Sequence, residues 1–160
     1  MTDLCRVNVA WQNWPGAPGL SQFHFLNASM QTNVDALRAF WNSIAALLPN
    51  NLTITVPGSG DVIDSATGSI TSAWSVTTPP AIVTCSGAGA YAGNAGLVVH
   101  WLTADVNNGR RVRGRTFIVP VIATGFETNG SPTATAISTI NNAATTLRTG
   151  TSNNMRVWSR

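Results

Sequence analysis

The first clear alternation runs from Arg6 to Trp11, where Val7, Val9 and Trp11 take every second position and predict a strand with one apolar face. The turn-forming run Pro15-Gly16-Ala17-Pro18-Gly19 follows, then a short apolar stretch from Gln22 to Leu26, so the chain opens as a hairpin. From Thr32 the period changes. Val34, Leu37, Trp41, Ile44 and Leu48 recur at three- and four-residue intervals and predict a helix, with Thr32-Asn33-Val34-Asp35 read as its capping box and Pro49 as its stop.

Leu52 to Val56 reads as a strand closed by the turn Pro57-Gly58-Ser59-Gly60, and Asp61 to Asp64 and Ser69 to Val76 flank Ala66-Thr67-Gly68 as a hairpin. Ala81 to Cys85 adds a strand before the glycine-rich loop Ser86 to Gly96, which has no side chains to build a core. Leu97 to Thr103 is the most strongly β stretch, and Phe117 to Ile122 is its expected partner across the turn Asp105 to Gly109. Ile137, Ile140, Ala144 and Leu147 predict a second helix, with Ser131 as N-cap, Pro132 in its first turn and Gly150 near its stop. Met155 to Ser159 closes the chain as a strand. The order β-β-α-β-β-β-β-β-β-α-β predicts an α+β fold, a β-rich antiparallel sheet with two amphipathic helices packed on one face, as a single domain over residues 1–160.

Composition changes this picture in one respect. Charged residues are only 9% of the chain, with no Lys and one Glu, Glu127. Thr, Ser, Asn, Ala and Gly fill the surface that charge would normally occupy, and such a surface repels its own copies weakly, which suits a subunit of an assembly. At 160 residues the chain buries roughly two-thirds of its unfolded surface, enough to fold without a disulfide or metal staple. Cys5 and Cys85 lie in different expected strands without CxxC or Cys/His spacing, so they read as buried thiols, and no metal or cofactor is expected. Met1-Thr2-Asp3 has neither a basic nor an apolar leader region, and no apolar run approaches the roughly 20 residues of a membrane span, so neither signal-peptide export nor membrane insertion is expected.

Four of the nine basic residues crowd into Gly109-Arg110-Arg111-Val112-Arg113-Gly114-Arg115-Thr116-Phe117 and account for most of the net charge of +3. In an extended chain from Arg111, period-two geometry places Arg111, Arg113, Arg115 and Phe117 on one face as a guanidinium ladder. Three roles compete for the block: a contact with carboxylates of a neighbouring subunit, a solvated hairpin, or a grip on nucleic-acid phosphates. Arginine in place of lysine fits bidentate pairing at an interface, which ranks the subunit contact first and the hairpin second. Nucleic acid ranks third, because the interleaved residues are Val112, Gly114 and Thr116 with only Phe117 aromatic beyond them, and neither end carries a basic arm. Arg110, Arg111, Arg113, Arg115 and Phe117 are therefore the candidate interface residues.

Catalytic chemistry finds little support. Six acids and two histidines are scattered; His24 and His100 sit in strand-like stretches beside Phe23, Phe25 and Trp101, where a core histidine is the commoner role. Asp61 and Asp64 flank a turn, a position that usually serves the backbone. Gly87-Ala88-Gly89-Ala90-Tyr91-Ala92-Gly93 fails the GxGxxG spacing, and neither it nor Gly58-Ser59-Gly60 ends as a P-loop does. The six tryptophans, Trp11, Trp14, Trp41, Trp74, Trp101 and Trp158, are spread over every element and read mostly as core or subunit contacts, with a carbohydrate platform as the alternative.

The segment Trp101-Leu102-Thr103, the run Gly109 to Pro120, the following helix and the closing Val157-Trp158-Ser159-Arg160 together resemble a group of small virion-associated proteins from bacteriophages and environmental viral genomes. In that group a strand ending in Thr leads to a Gly-Arg-x-x-Arg-Gly-Arg-aromatic motif, and a hydrophobic-Ser-Arg follows an amphipathic helix. The resemblance covers about the last 60 residues; the first hundred carry none of the group's motifs, and its members continue past the Ser-Arg into a basic tail. It implies a non-enzymatic structural protein of the virion, capsid or tail, whose partners are its own copies and other virion proteins. The alternatives are a host- or glycan-binding decoration module using exposed Trp and the Ser86 to Gly96 loop, and a nucleic-acid-binding protein.

Overall fold

A computed structural model describes residues 3–12, 19–26, 29–87, 96–104, 111–120, 133–151 and 154–159, with side chains over 3–12, 22–26, 29–87 and 133–149. Its elements follow the expected order: β1 (Asp3–Gln12), β2 (Gly19–Leu26), α1 (Met30–Ile44), β3 (Thr53–Val56), β4 (Ser59–Asp64), β5 (Ile70–Ser75), β6 (Ala81–Thr84), β7 (Gly96–Ala104), β8 (Arg111–Pro120), α2 (Ala134–Thr151) and β9 (Asn154–Ser159). The fold is α+β with antiparallel strands. The strands form two sheets instead of one: a curled six-stranded sheet ordered β5-β4-β1-β3-β6 with β2 also on β1, and a three-stranded sheet ordered β8-β7-β9.

β1 is the spine of the larger sheet. Along one edge it pairs with β2 from Leu4↔Leu26 to Trp11↔Gly19, and its other edge is shared by β3 and β4. The expected turn at Pro57-Gly58-Ser59-Gly60 does not reverse the chain. β3 and β4 run in the same direction past β1, with Thr55 opposite Ala10 and Asp61 opposite Arg6, so the outer strand takes two residues more than β1 over that interval. Proline cannot donate to the ladder, and the excess residues are absorbed as a kink at Pro57-Gly58. The kink splits the sheet into two arms, β6 on β3 and β5 on β4.

One side chain ties the kink down. Trp74 lies opposite Gly60 across the β4–β5 pair, and its indole Nε1 donates to the Arg6 carbonyl of β1 at 3.0 Å. The ring fits because residue 60 has no side chain: a Cβ there would stand 2.6 Å from the Arg6 carbonyl oxygen and 2.8 Å from the Trp74 ring. At the tip of this hairpin Asp64 accepts from the backbone N–H of Ala66 and Thr67, each at 2.8 Å, and Gly68 takes the positive φ of 75° that closes the turn. These bonds hold the Asp64 carboxyl below its ordinary value of 3.8, the Thr67 amide contributing most.

The core lies on the face of β1 that carries Cys5, Val7, Val9 and Trp11, continued on β2 by Phe23 and Phe25. Facing them, α1 contributes Met30, Val34, Leu37, Phe40, Trp41 and Ile44. Trp41 is fully buried and meets Trp11 and Phe40 edge-on, both at 4.8 Å between centroids, and Phe23 at 6.2 Å. Each such pair adds about 0.5–1.5 kcal/mol beyond the area it buries. α1 begins at Met30 with Ser29 as N-cap, three residues before the expected cap Thr32; Asp35 instead accepts from Gln31 and Arg38 on the helix surface. The earlier start buries one further apolar side chain, Met30. The α-helix ends at Ile44, tightens to a 3-10 turn over Ala45–Leu47 and leaves Leu48 extended, as a residue preceding proline prefers. Carbonyls freed at this end accept from the chain after β6, Ala45 from Ser86 N–H and Leu48 from Gly87 N–H.

In α2 the buried stripe is Ala136, Ile140, Ala143 and Leu147, so the helix is rotated from the expected face and Ile137 is 43% exposed. Its N-cap is Thr133, whose Oγ1 accepts from Ala136 N–H at 3.2 Å; Ser131 and Pro132 lie outside the described residues. Gly150 lies within the helix and does not stop it. Among the described residues no helix is long and apolar enough to cross a membrane.

Trp74→Phe, which keeps an aromatic ring of smaller size and removes the donor, should lower stability by about 1–3 kcal/mol, read as a lower urea midpoint at unchanged slope. Gly60→Ala should cost at least as much, because the new methyl meets backbone on one side and the indole on the other. Asp64, whose folded pKa is depressed, contributes stability above the ordinary carboxylate range that is lost as pH falls through the folded value. Thermal melts from neutral to strongly acid pH should therefore fall less steeply for Asp64→Asn than for the parent protein; parallel curves would show that Asp64 is not linked to folding.

Candidate functional site: the arginine-bearing strand

β8 is extended from Arg111, earlier than Phe117, and pairs antiparallel with β7 throughout. Val99 lies opposite Phe117, Trp101 opposite Arg115 and Thr103 opposite Arg113. Between Thr103 and Ala104 the register shifts, so Ala104 lies opposite Arg111 while the adjacent Thr103 lies opposite Arg113. The even two-residue spacing of a four-membered ladder is thus interrupted at its first arginine: Arg113, Arg115 and Phe117 keep register with each other, and Arg111 does not. Arg110 lies outside the described residues.

Among the described residues β8 is an edge strand of its sheet, hydrogen-bonded to β7, and it also lies close to β2 of the larger sheet. Charge on an edge strand blocks indiscriminate strand addition, and it also offers paired guanidinium groups to a specific anionic partner. The opposite edge of β7 carries β9, which places Arg156 opposite His100 and Met155 opposite Trp101. Arg156 and Trp158 are absent from the motif that marks the interface candidates; joining β9 to β7 is a pairing between segments some fifty residues apart that no local pattern announces.

The other residues with chemical potential are absorbed by the fold. His24 is 1% exposed on β2, opposite Arg6, and Arg6 in turn lies opposite Asp61 and is ion-paired with it. Asp64 serves the turn backbone, as its position suggested. Cys5 and Cys85 are buried, and burial pushes each thiol up to about 11, far from the thiolate that nucleophilic or metal chemistry requires. Trp11, Trp41 and Trp74 are buried, Trp14 lies outside the described residues, and Trp101 and Trp158 occupy strands β7 and β9. Of the glycine-rich stretches, Gly60 belongs to β4, and residues 88–95 lie outside the described set. No group of three or more His, Cys, Asp or Glu side chains is gathered among the described residues.

A polar clamp that the sequence did not announce joins α1 to the segment before β6. Arg38 Nη1 donates to Thr78 Oγ1 at 2.6 Å and Nη2 to the Pro79 carbonyl at 2.7 Å, while Gln31 Nε2 donates to Thr78 Oγ1 at 2.9 Å and Gln31 Oε1 accepts from Thr77 N–H at 3.2 Å. Its partners are fixed in a hydrogen-bonded arrangement that orients the segment Thr77 to Pro79, so it is a positioning device. Comparison of the chain with protein-family models, with curated proteins and with solved structures finds no match.

Proposed function

We propose that the protein is a non-enzymatic structural component of a virus particle that self-associates through the arginine-bearing strand β8. The observation that carries the reading is that three arginines, Arg111, Arg113 and Arg115, fall on one strand that is, among the described residues, at the edge of the three-stranded sheet, a concentration of positive charge that suits carboxylates of a neighbouring subunit. Support comes also from the sparsely charged surface and from the resemblance of the C-terminal motif to small virion proteins. Arg110 and Phe117 belong to the same proposed contact by their place in the motif. A glycan platform would have to be built from Trp14, Trp101 and Trp158, because the other three tryptophans are in the core; the decoration reading is therefore the weaker one.

Replacing Arg111 and Arg113 together by Glu should reduce the mass of the purified protein from an assembly to a single chain, by size-exclusion chromatography with light scattering. The far-ultraviolet circular dichroism and melting temperature should stay close to the parent's, since both substitutions fall at the edge of the smaller sheet among the described residues. An assembly of undiminished mass in the doubly substituted protein would overturn the role given to β8.

A further inference from the structure

Charge is segregated between the two sheets. The strands of the six-stranded sheet carry Asp3, Asp61 and Asp64 against a single Arg6, whereas those of the three-stranded sheet carry Arg111, Arg113, Arg115 and Arg156 and no carboxylate. A chain with so few charges thus concentrates its positive field on one small sheet, which favours a polyanion. The linear motif lacks aromatics between its arginines, but strand pairing supplies one: Trp101 of β7 lies directly opposite Arg115, and Phe117 is the next in-register position along β8. Directly paired residues are roughly 5 Å apart and alternate residues of a strand roughly 7 Å apart, so Arg113, Arg115, Trp101 and Phe117 occupy one compact block of register positions.

We infer that the β8–β7–β9 sheet binds single-stranded nucleic acid, with Arg113 and Arg115 at the phosphates and Trp101 and Phe117 at the bases. The combination selects this ligand over other anions. A phosphate-bearing chain alone would need only the arginines, whereas aromatic positions beside them match a strand whose bases are unstacked and available. A duplex keeps its bases stacked inside, where aromatic side chains on a sheet cannot stack on them. The inference goes beyond self-association: Arg113, Arg115 and Phe117 are shared with the proposed subunit contact, and Trp101, on the central strand, belongs to nucleic-acid binding alone.

The test is fluorescence anisotropy of a short labelled single-stranded DNA of mixed sequence, titrated with the full chain at a series of salt concentrations, with heparin as a polyanion lacking bases. The wild-type protein should bind the DNA in preference to heparin, with affinity falling as salt rises. Arg113→Gln with Arg115→Gln should flatten the plot of log affinity against log salt by roughly 1.4, about 0.7 for each phosphate no longer neutralised. Trp101→Leu should weaken binding roughly 5- to 150-fold at unchanged salt slope, as removal of one stacking platform requires. Light scattering on the same samples separates the two proposals, since Trp101→Leu should leave the assembly mass unchanged. Absence of binding at low salt, equal affinity for heparin, or an unchanged slope in the double arginine variant would each overturn the inference. If Trp101→Leu does not fold, the arginine slope and the heparin comparison decide the matter.

Discussion

The structure depends on keeping both edges of β1 paired while the strand beside it changes course. β1 is long enough to hold β2 along its whole length on one side, and on the other it must satisfy two shorter strands that are out of step by two residues. The mismatch is tolerable because Pro57-Gly58 absorbs it and because Trp74, seated against Gly60, gives the Arg6 carbonyl a donor at the same place. With that kink fixed, the sheet curls, and one face closes on Trp41 and the inner stripe of α1. An unpaired carbonyl in such a place would cost about 1–3 kcal/mol, a sizeable share of a typical domain's net stability.

Much of this was legible in the residues. The order of all eleven regular elements follows from periodicity, because alternation in β1 and the three-four spacing in α1 are each enforced by a fully buried face. The failures are equally physical. Pro57-Gly58-Ser59-Gly60 has the composition of a reversal, yet whether such a run turns or kinks depends on the register of β1, which is remote in sequence. Thr32 to Asp35 resembles a helix start, but burial of Met30 moves the start earlier and leaves Ser29 as the cap. In α2 the alanines at 136 and 143 outweigh Ile137 because a close approach to α1 favours small side chains there, a preference that hydrophobicity alone does not reveal.

The candidate site was legible as a motif and illegible as a surface. The arginines declare themselves by density, and the short connection from β7 to β8 makes their pairing expected, but the register that takes Arg111 out of step and sets Trp101 opposite Arg115, and the addition of β9 on the far edge of β7, do not follow from local pattern. Those pairings also separate the acidic strands from the basic ones, giving a weakly charged chain a pronounced polarity. A molecule built this way can contact neighbouring copies through a charged edge while its other strands stay nearly neutral. The proposed structural role in a particle follows from that polarity together with the sequence resemblance.

The most direct test of self-association is the mass of the unmodified protein in solution, followed across concentration by sedimentation velocity with electron microscopy of the largest species. The predicted result is a closed ring, tube or shell of many copies that persists on dilution. A single chain at every concentration would contradict it.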